Sequence, residues 1–334
     1  MVLAGALIVS TSTVIAGESV NARWDAVRLA REWVTALAES SQPAKVPAPV
    51  NRIIVVSGGE ERLVYETQAN DFVLGEPVVA RDGSRLAFRK IEQIGDRTHD
   101  RLYVMNRDGT ALKPIVEFER PGVAFKGAIM GGASTAWSFD NRSVVTEGEV
   151  HHPSAAARRS LVRVDLESGA VVQLAELESR RLANSHRAIT SQAWAPDNRR
   201  IVYTNEERHA IILDTVSGTR VDIGLGRSAA WAPDGRFIAV QEPGAPGEIR
   251  QGDYVLIRPE PPHQRIKLLS NARRWFSLWR FGFLGPPVWM PDSRLVVVFH
   301  QERNESVPYV LDSMTGEIEK LPPRFVSESW GGKP

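Results

Sequence analysis

The 334-residue sequence contains no cysteine. That absence excludes a disulfide framework, a thiolate metal site, a cysteine nucleophile and a cysteine-linked lipid. It also lacks an excess of charge of either sign. Lysine plus arginine total 41 against 40 aspartates and glutamates, so a nucleic acid is not an expected partner. Lysine is scarce within the basic total, a bias that a GC-rich genome produces without functional meaning. No Gly-x-Ser-x-Gly elbow, no phosphate-cradling Gly-Lys-Ser/Thr loop and no His-Glu-x-x-His occurs. These absences remove a serine hydrolase of the nucleophile-elbow type, P-loop nucleotide chemistry and zincin-type hydrolysis.

What is present begins with an uncharged apolar stretch, Met1 to Ala16. It is short for a membrane span and typical of a signal-peptide core, with small-residue cleavage sites at Val14-Ile15-Ala16 and Val20-Asn21-Ala22. Residues 1–22 are therefore expected to be a signal peptide or N-terminal anchor, and the protein to be periplasmic or secreted. A buried N-terminal segment of a cytoplasmic protein is the alternative. Trp24, Val27, Ala30, Trp33, Val34 and Leu37 then recur at three- and four-residue steps, which predicts an amphipathic helix. Pro43, Pro47 and Pro49 follow as a stiff linker, so residues 23–50 read as helix plus linker ahead of a repeat region over 51–334.

The repeat carries most of the information. Five segments end on an aspartate followed by a turn residue: Pro77 to Gly83, Thr135 to Asn141, Gln192 to Asn198, Ala229 to Gly235 and Pro287 to Ser293. Four residues after each aspartate stands an aliphatic: Leu86, Val144, Ile201, Ile238 and Val296. An aspartate can accept from the backbone two residues on, and the next residue takes positive φ, so each pair closes a tight hairpin. Trp137, Trp194, Trp231 and Trp289 supply large apolar faces to pack one sheet on the next. The first copy has Val79 and Arg81 where later copies have Trp and Pro, and is the weakest.

A second hairpin follows each first one, as in Leu102 to Gly109, Leu161 to Gly169, Ala210 to Gly218 and Tyr309 to Gly316. Two hairpins make four antiparallel strands, and such units arrayed radially form a β-propeller. The predicted fold is all-β: a six-bladed propeller of four-stranded antiparallel blades, preceded by the short amphipathic helix. The sixth blade needs the orphan strand pair at 52–66 to be joined by the C-terminal segment Arg324 to Trp330. Five blades with a loose N-terminal hairpin is the alternative.

Trp231-Ala232-Pro233-Asp234-Gly235 and Tyr103-Val104-Met105-Asn106-Arg107-Asp108-Gly109 carry a resemblance to the repeat of TolB-like propellers. The resemblance covers residues 52–330 and is specific for the propeller, not for an activity. Members of that family place a separate α/β domain in front, where this chain has only residues 23–50. What the resemblance implies is an exported binding platform.

Length gathers where strands two and three join and where blades join. Residues 117–134, 177–190 and 270–286 are expected to link blades, and 89–100, 147–159 and 241–252 to loop out within them. Loops this long are seldom idle in compact folds. Arg274, Trp275, Trp279 and Arg280 are the expected partner-binding residues, since tryptophan and arginine dominate such sites. The same segment could lie at a membrane interface, or simply cap the end of a blade. The expected partner is a protein or peptide, envelope-associated, and the chain a monomer. No cofactor is predicted. The alternative is a metal-assisted lyase or hydrolase acting on a carbohydrate or small ester. It would use His151, His152 and His186 for catalysis and Glu149, His151 and His152 for a divalent metal.

Overall fold

The computed structural model describes residues 34–41, 50–57, 60–68, 71–95, 97–118, 134–152, 155–177, 188–242, 254–267, 286–290, 292–302 and 305–320. These residues form six antiparallel sheets, each built from strands that follow one another in the chain. The first holds β1 (Val34–Ser41), β2 (Val50–Ser57) and β3 (Glu60–Glu66). The second holds β4 (Phe72–Val79), β5 (Arg85–Ile94), β6 (Arg97–Asn106) and β7 (Lys113–Phe118). The third holds β8 (Thr135–Trp137), β9 (Ser143–His152), β10 (Ala155–Asp165) and β11 (Val171–Glu176). The fourth holds β12 (Arg200–Thr204), β13 (His209–Asp214) and β14 (Arg220–Leu225), with Trp194 bridging Ile201 where the others have a first strand. The fifth holds β15 (Arg227–Trp231), β16 (Ile238–Gln241), β17 (Tyr254–Ile257) and β18 (Arg265–Lys267). The sixth holds β19 (Val288–Trp289), β20 (Leu295–Glu302), β21 (Glu305–Asp312) and β22 (Ile318–Lys320).

The turn chemistry is as expected. Asp82, Asp140, Asp197, Asp234 and Asp292 each accept from the backbone N–H two residues on. The residue after each has positive φ: Gly83 at 71°, Asn141 at 57°, Asn198 at 56°, Gly235 at 77° and Ser293 at 56°. That slot has a second use. Asn141 Oδ1 accepts from Arg81 N, Asn198 Oδ1 from Asp140 N, and Ser293 Oγ from Asp234 N, so each side chain stitches its turn to that of the preceding sheet.

Between sheets the contacts are apolar, and each hydrophobic cluster draws on two consecutive sheets. Ile53, Leu86 and Phe88 join the first and second; Val78, Trp137 and Val162 the second and third. Leu161 and Trp194 join the third and fourth, Val202 and Trp231 the fourth and fifth, Leu256 and Trp289 the fifth and sixth. The indole N–H groups index the array. Trp137 donates to Val78 O, Trp194 to Ala136 O and Trp289 to Ala230 O, each reaching the sheet before its own.

One buried residue decides the geometry. Gln192, at the start of the fourth sheet's repeat, donates its Nε2 to Trp289 O at 2.8 Å and accepts from Trp289 N at 2.6 Å. Its own carbonyl takes Trp231 N at 2.7 Å. Packed sheets lie about 10 Å apart, so in a linear stack the fourth and sixth would be about 20 Å apart, beyond a glutamine's reach. The sheets turn about an axis. The protein is an all-β propeller.

Two expectations change. The helix predicted through Leu37 gives way at Val34, because β1 pairs with β2 from Val34↔Ser57 to Ser41↔Val50. A long-range ladder outweighs the modest helix preference of a short segment. Residues 24–33 lie outside the described residues, as does the closing segment Arg324 to Trp330. The orphan pair is thus a three-stranded sheet packed on the second one. The loops expected over 89–100 and 147–159 are instead strand: Ile94 pairs with Arg97, and His152 with Ala155.

Candidate functional site

Consecutive antiparallel strands alternate in direction, so the connections after first and third strands leave at one rim and the rest at the other. The Asp-cornered turns occupy the first rim. The opposite rim holds the strand ends between which residues 119–133, 243–253 and 268–285 run in the sequence, and also the short turn Asn205 to Arg208 and the single residue Gly226.

Toward this second rim the strand faces change from apolar to polar. The seventh residue after the turn aspartate is Arg89, Glu147, Thr204, Gln241 and Phe299 in the five copies. The first four are buried despite their polarity. Arg89 makes a bidentate pair with Asp100, stacks on Phe118 and donates to the carbonyl of Glu147 in the next sheet. Glu147 Oε1 accepts from Ala188 N at 2.7 Å, and Ala188 O accepts from Thr204 N at 2.7 Å. A polar thread thus runs from the second sheet through the third to the fourth. Gly148 is closed in by the Phe118 ring, which a Cβ would meet at 2.7 Å.

On the other face of the second sheet, Lys90 donates to Tyr65 Oη at 2.9 Å and pairs with Glu92 at 2.7 Å. Glu92 also accepts from Arg101 and Tyr103. Burial works against the Lys90 charge, but Glu92 and Tyr65 more than offset it and hold its pKa above the ordinary lysine range. These are groups locked to one another, suited to holding a rim rigid.

The sequence-selected residues fall as follows. His151 and His152 end β9 and Glu149 pairs with Arg159 inside it, so this segment is ladder and not the loop expected of a chelating cluster. His186 lies outside the described residues, as do Arg274, Trp275, Trp279 and Arg280. Among the described residues no group of three or more histidine, aspartate or glutamate side chains is placed to hold a metal. The polar seventh position was legible in the sequence but went unread, being masked by the stronger Trp and Asp-Gly signals. Arg227, which opens β15, carries no sequence signal beyond a Gly-Arg-Ser run.

No protein-family model and no curated protein matches the sequence. Solved structures do match the fold. TolB from Acinetobacter baumannii aligns over 90% of this chain and 67% of its own at 14% identity, with a TM-score of 0.60. The fold is that of a TolB-like β-propeller. The propeller domain of the Trilobed protease from Pyrococcus furiosus aligns over 86% of this chain and 79% of its own at 16% identity, TM-score 0.55. Oligogalacturonate lyase from Vibrio parahaemolyticus aligns over 87% and 74% at 14% identity, TM-score 0.50. Such identities speak for shared architecture and not for a shared activity.

Proposed function

We propose that this chain is a non-catalytic, exported propeller that binds a protein or peptide partner on the rim where its long connections emerge. The asymmetry of the rims carries the reading. One is closed by minimal turns stitched to each other through Asn141, Asn198 and Ser293, and the other has the strand ends that the long sequence stretches connect, with a hydrogen-bonded polar base. Arg274, Trp275, Trp279 and Arg280 fall in the longest of these stretches and supply the residue types that dominate binding hot spots. The uncharged segment Met1 to Ala16 supports export to the periplasm or beyond.

The test is capture from an envelope extract by the full chain, followed by cross-linking to locate the contact. Cross-links at 242–253 and 268–287 are the expected result, lost on changing Trp275 and Trp279 to alanine. Contacts confined to the Asp-cornered turns would refute the proposal.

A further inference from the structure

Most partly buried arginines near the long-connection rim have a carboxylate. Arg89 has Asp100, Arg101 has Glu92 and Glu117, and Arg265 has Glu242. Arg227 differs. It stands opposite Gln241 in the ladder, half-buried, and its Nε is enclosed with no acceptor among the described residues. The charged or titratable groups acting on it are the Arg208 guanidinium and the Tyr254 phenol, and neither is a carboxylate.

The backbone holds the two arginines near one another. Gly226 N–H donates to Arg208 O at 2.8 Å, which places positions 208 and 227 side by side where the fourth sheet passes to the fifth. The arrangement is tight. Arg208 and Ser228 both take positive φ, at 64° and 54°, and a Cβ on Gly226 would meet Val240 at 2.8 Å. Non-glycine residues in this conformation are uncommon and cluster at functional positions. Burial first, and Arg208 second, pull the Arg227 pKa below the ordinary arginine value. Nearby in the chain, Thr204 Oγ1 is buried without a partner in a residue 6% exposed, and Glu206 Oε1 in the adjoining turn is likewise enclosed and unpartnered.

Two cations with no carboxylate partner among the described residues suit an oxyanion, and guanidinium matches a carboxylate bidentately. The unpartnered acceptor on Glu206 suits an N–H donor. A peptide offers both. We propose that Arg227 and Arg208 form a carboxylate subsite for a peptide ligand, with Thr204 and Glu206 receiving the hydrogen-bonding groups beside that carboxylate. The subsite lies on the partner-binding rim proposed above and rests on that reading for its biological use.

Four short blocked peptides test it on the full chain by calorimetry. They are acetyl-Ala-Glu-Ala-amide, acetyl-Ala-Gln-Ala-amide, acetyl-Ala-Ala-Ala with a free C-terminus, and its amide. Binding by either carboxylate peptide and not by its neutral counterpart is the expected result, and the pair that binds tells side chain from C-terminus. Arg227→Gln should weaken that binding on the order of tenfold or more. Arg208→Gln, at an exposed turn position, gives a second variant should Arg227→Gln fail to fold. Equal binding of charged and neutral peptides, no binding of any, or binding indifferent to both substitutions would overturn the subsite. The two readings fail separately. A captured partner that cross-links to the rim but tolerates both arginine changes sinks only the subsite. Carboxylate peptides that bind without a rim partner sink only the broader proposal.

Discussion

Asp214 accepts backbone hydrogen bonds from Ser217 and Val216 at 2.9 Å and one from Arg199 Nε at 2.6 Å, and these hold its pKa down at about 2. Asp108 and Asp165 are held low in the same way, by Thr110 and Ser168. In Asp82 and Asp197 partial burial opposes the shift and the turn hydrogen bonds outweigh it, and in Asp312 burial is outweighed by Arg294 first and the turn hydrogen bonds second. A depressed carboxylate contributes stability that is complete above the unfolded pKa and lost as pH falls through the folded one. The urea midpoint should therefore be level above about pH 5 and fall steeply between about pH 4 and pH 2. Asp214→Asn should shrink that fall relative to wild type. In the positive-φ slot after Asp197, Asn198→Gly keeps the turn but loses the bond to Asp140 N, for a cost of about 1 kcal/mol. Gly235→Asn should cost about 1–3 kcal/mol although asparagine fills the equivalent slot in two other copies. A Cβ there would meet Pro196 Cγ at 3.0 Å. Denaturant unfolding of the pair measures both.

Sheets are joined to one another by apolar layers near the turns and by hydrogen bonds toward the opposite rim, where the ion pairs lie within single sheets. Removing half of a buried pair leaves the other charge stranded, so Asp100→Ala should cost about 3–5 kcal/mol. Arg89→Met combined with Asp100→Leu should recover most of that loss, because it removes both desolvation penalties. A double mutant as unstable as Asp100→Ala would show that the Arg89 contacts to Phe118 and the Glu147 carbonyl matter more than its charge. Gln192 works between elements. Gln192→Leu leaves the N–H of Trp289 buried without its acceptor, at a cost of about 1–3 kcal/mol. Amide exchange at Trp289 should quicken more than at Trp137, whose contacts do not involve Gln192.

For the molecule as a whole, the proposed binding role of the rim can be separated from folding. If the long stretches serve binding and not folding, shortening 268–285 to eight Gly/Ser residues should change unfolding free energy by only about 1 kcal/mol. Eight extended residues reach roughly 26 Å, enough to pass from an outer strand to the next inner one across steps of about 4.8 Å. The same variant should lose partner capture. A large loss of stability instead would mean that Trp275 and Trp279 belong to the packing of the fifth and sixth sheets.

The repeat told the fold because its chemistry is local. An aspartate followed by glycine or asparagine closes its hairpin wherever it stands, and a tryptophan three residues before it must find a neighbouring sheet. The helix reading at Val34 to Leu37 failed for the opposite reason: β2, whose open edge β1 fills, belongs to no short sequence window. Likewise, nothing in Glu147-Gly148-Glu149-Val150-His151-His152 shows that Glu147 will turn inward to cap Ala188 while the segment extends as ladder. Periodicity determined the sheets, their turns and the rim bearing the long connections. Which charges are neutralised, which arginines lack a carboxylate among the described residues, and that Gln192 reaches Trp289 across 97 residues were decided only when the sheets closed around an axis. Electrostatic and hydrogen-bond partners are chosen by distance in space, and sequence spacing does not encode it.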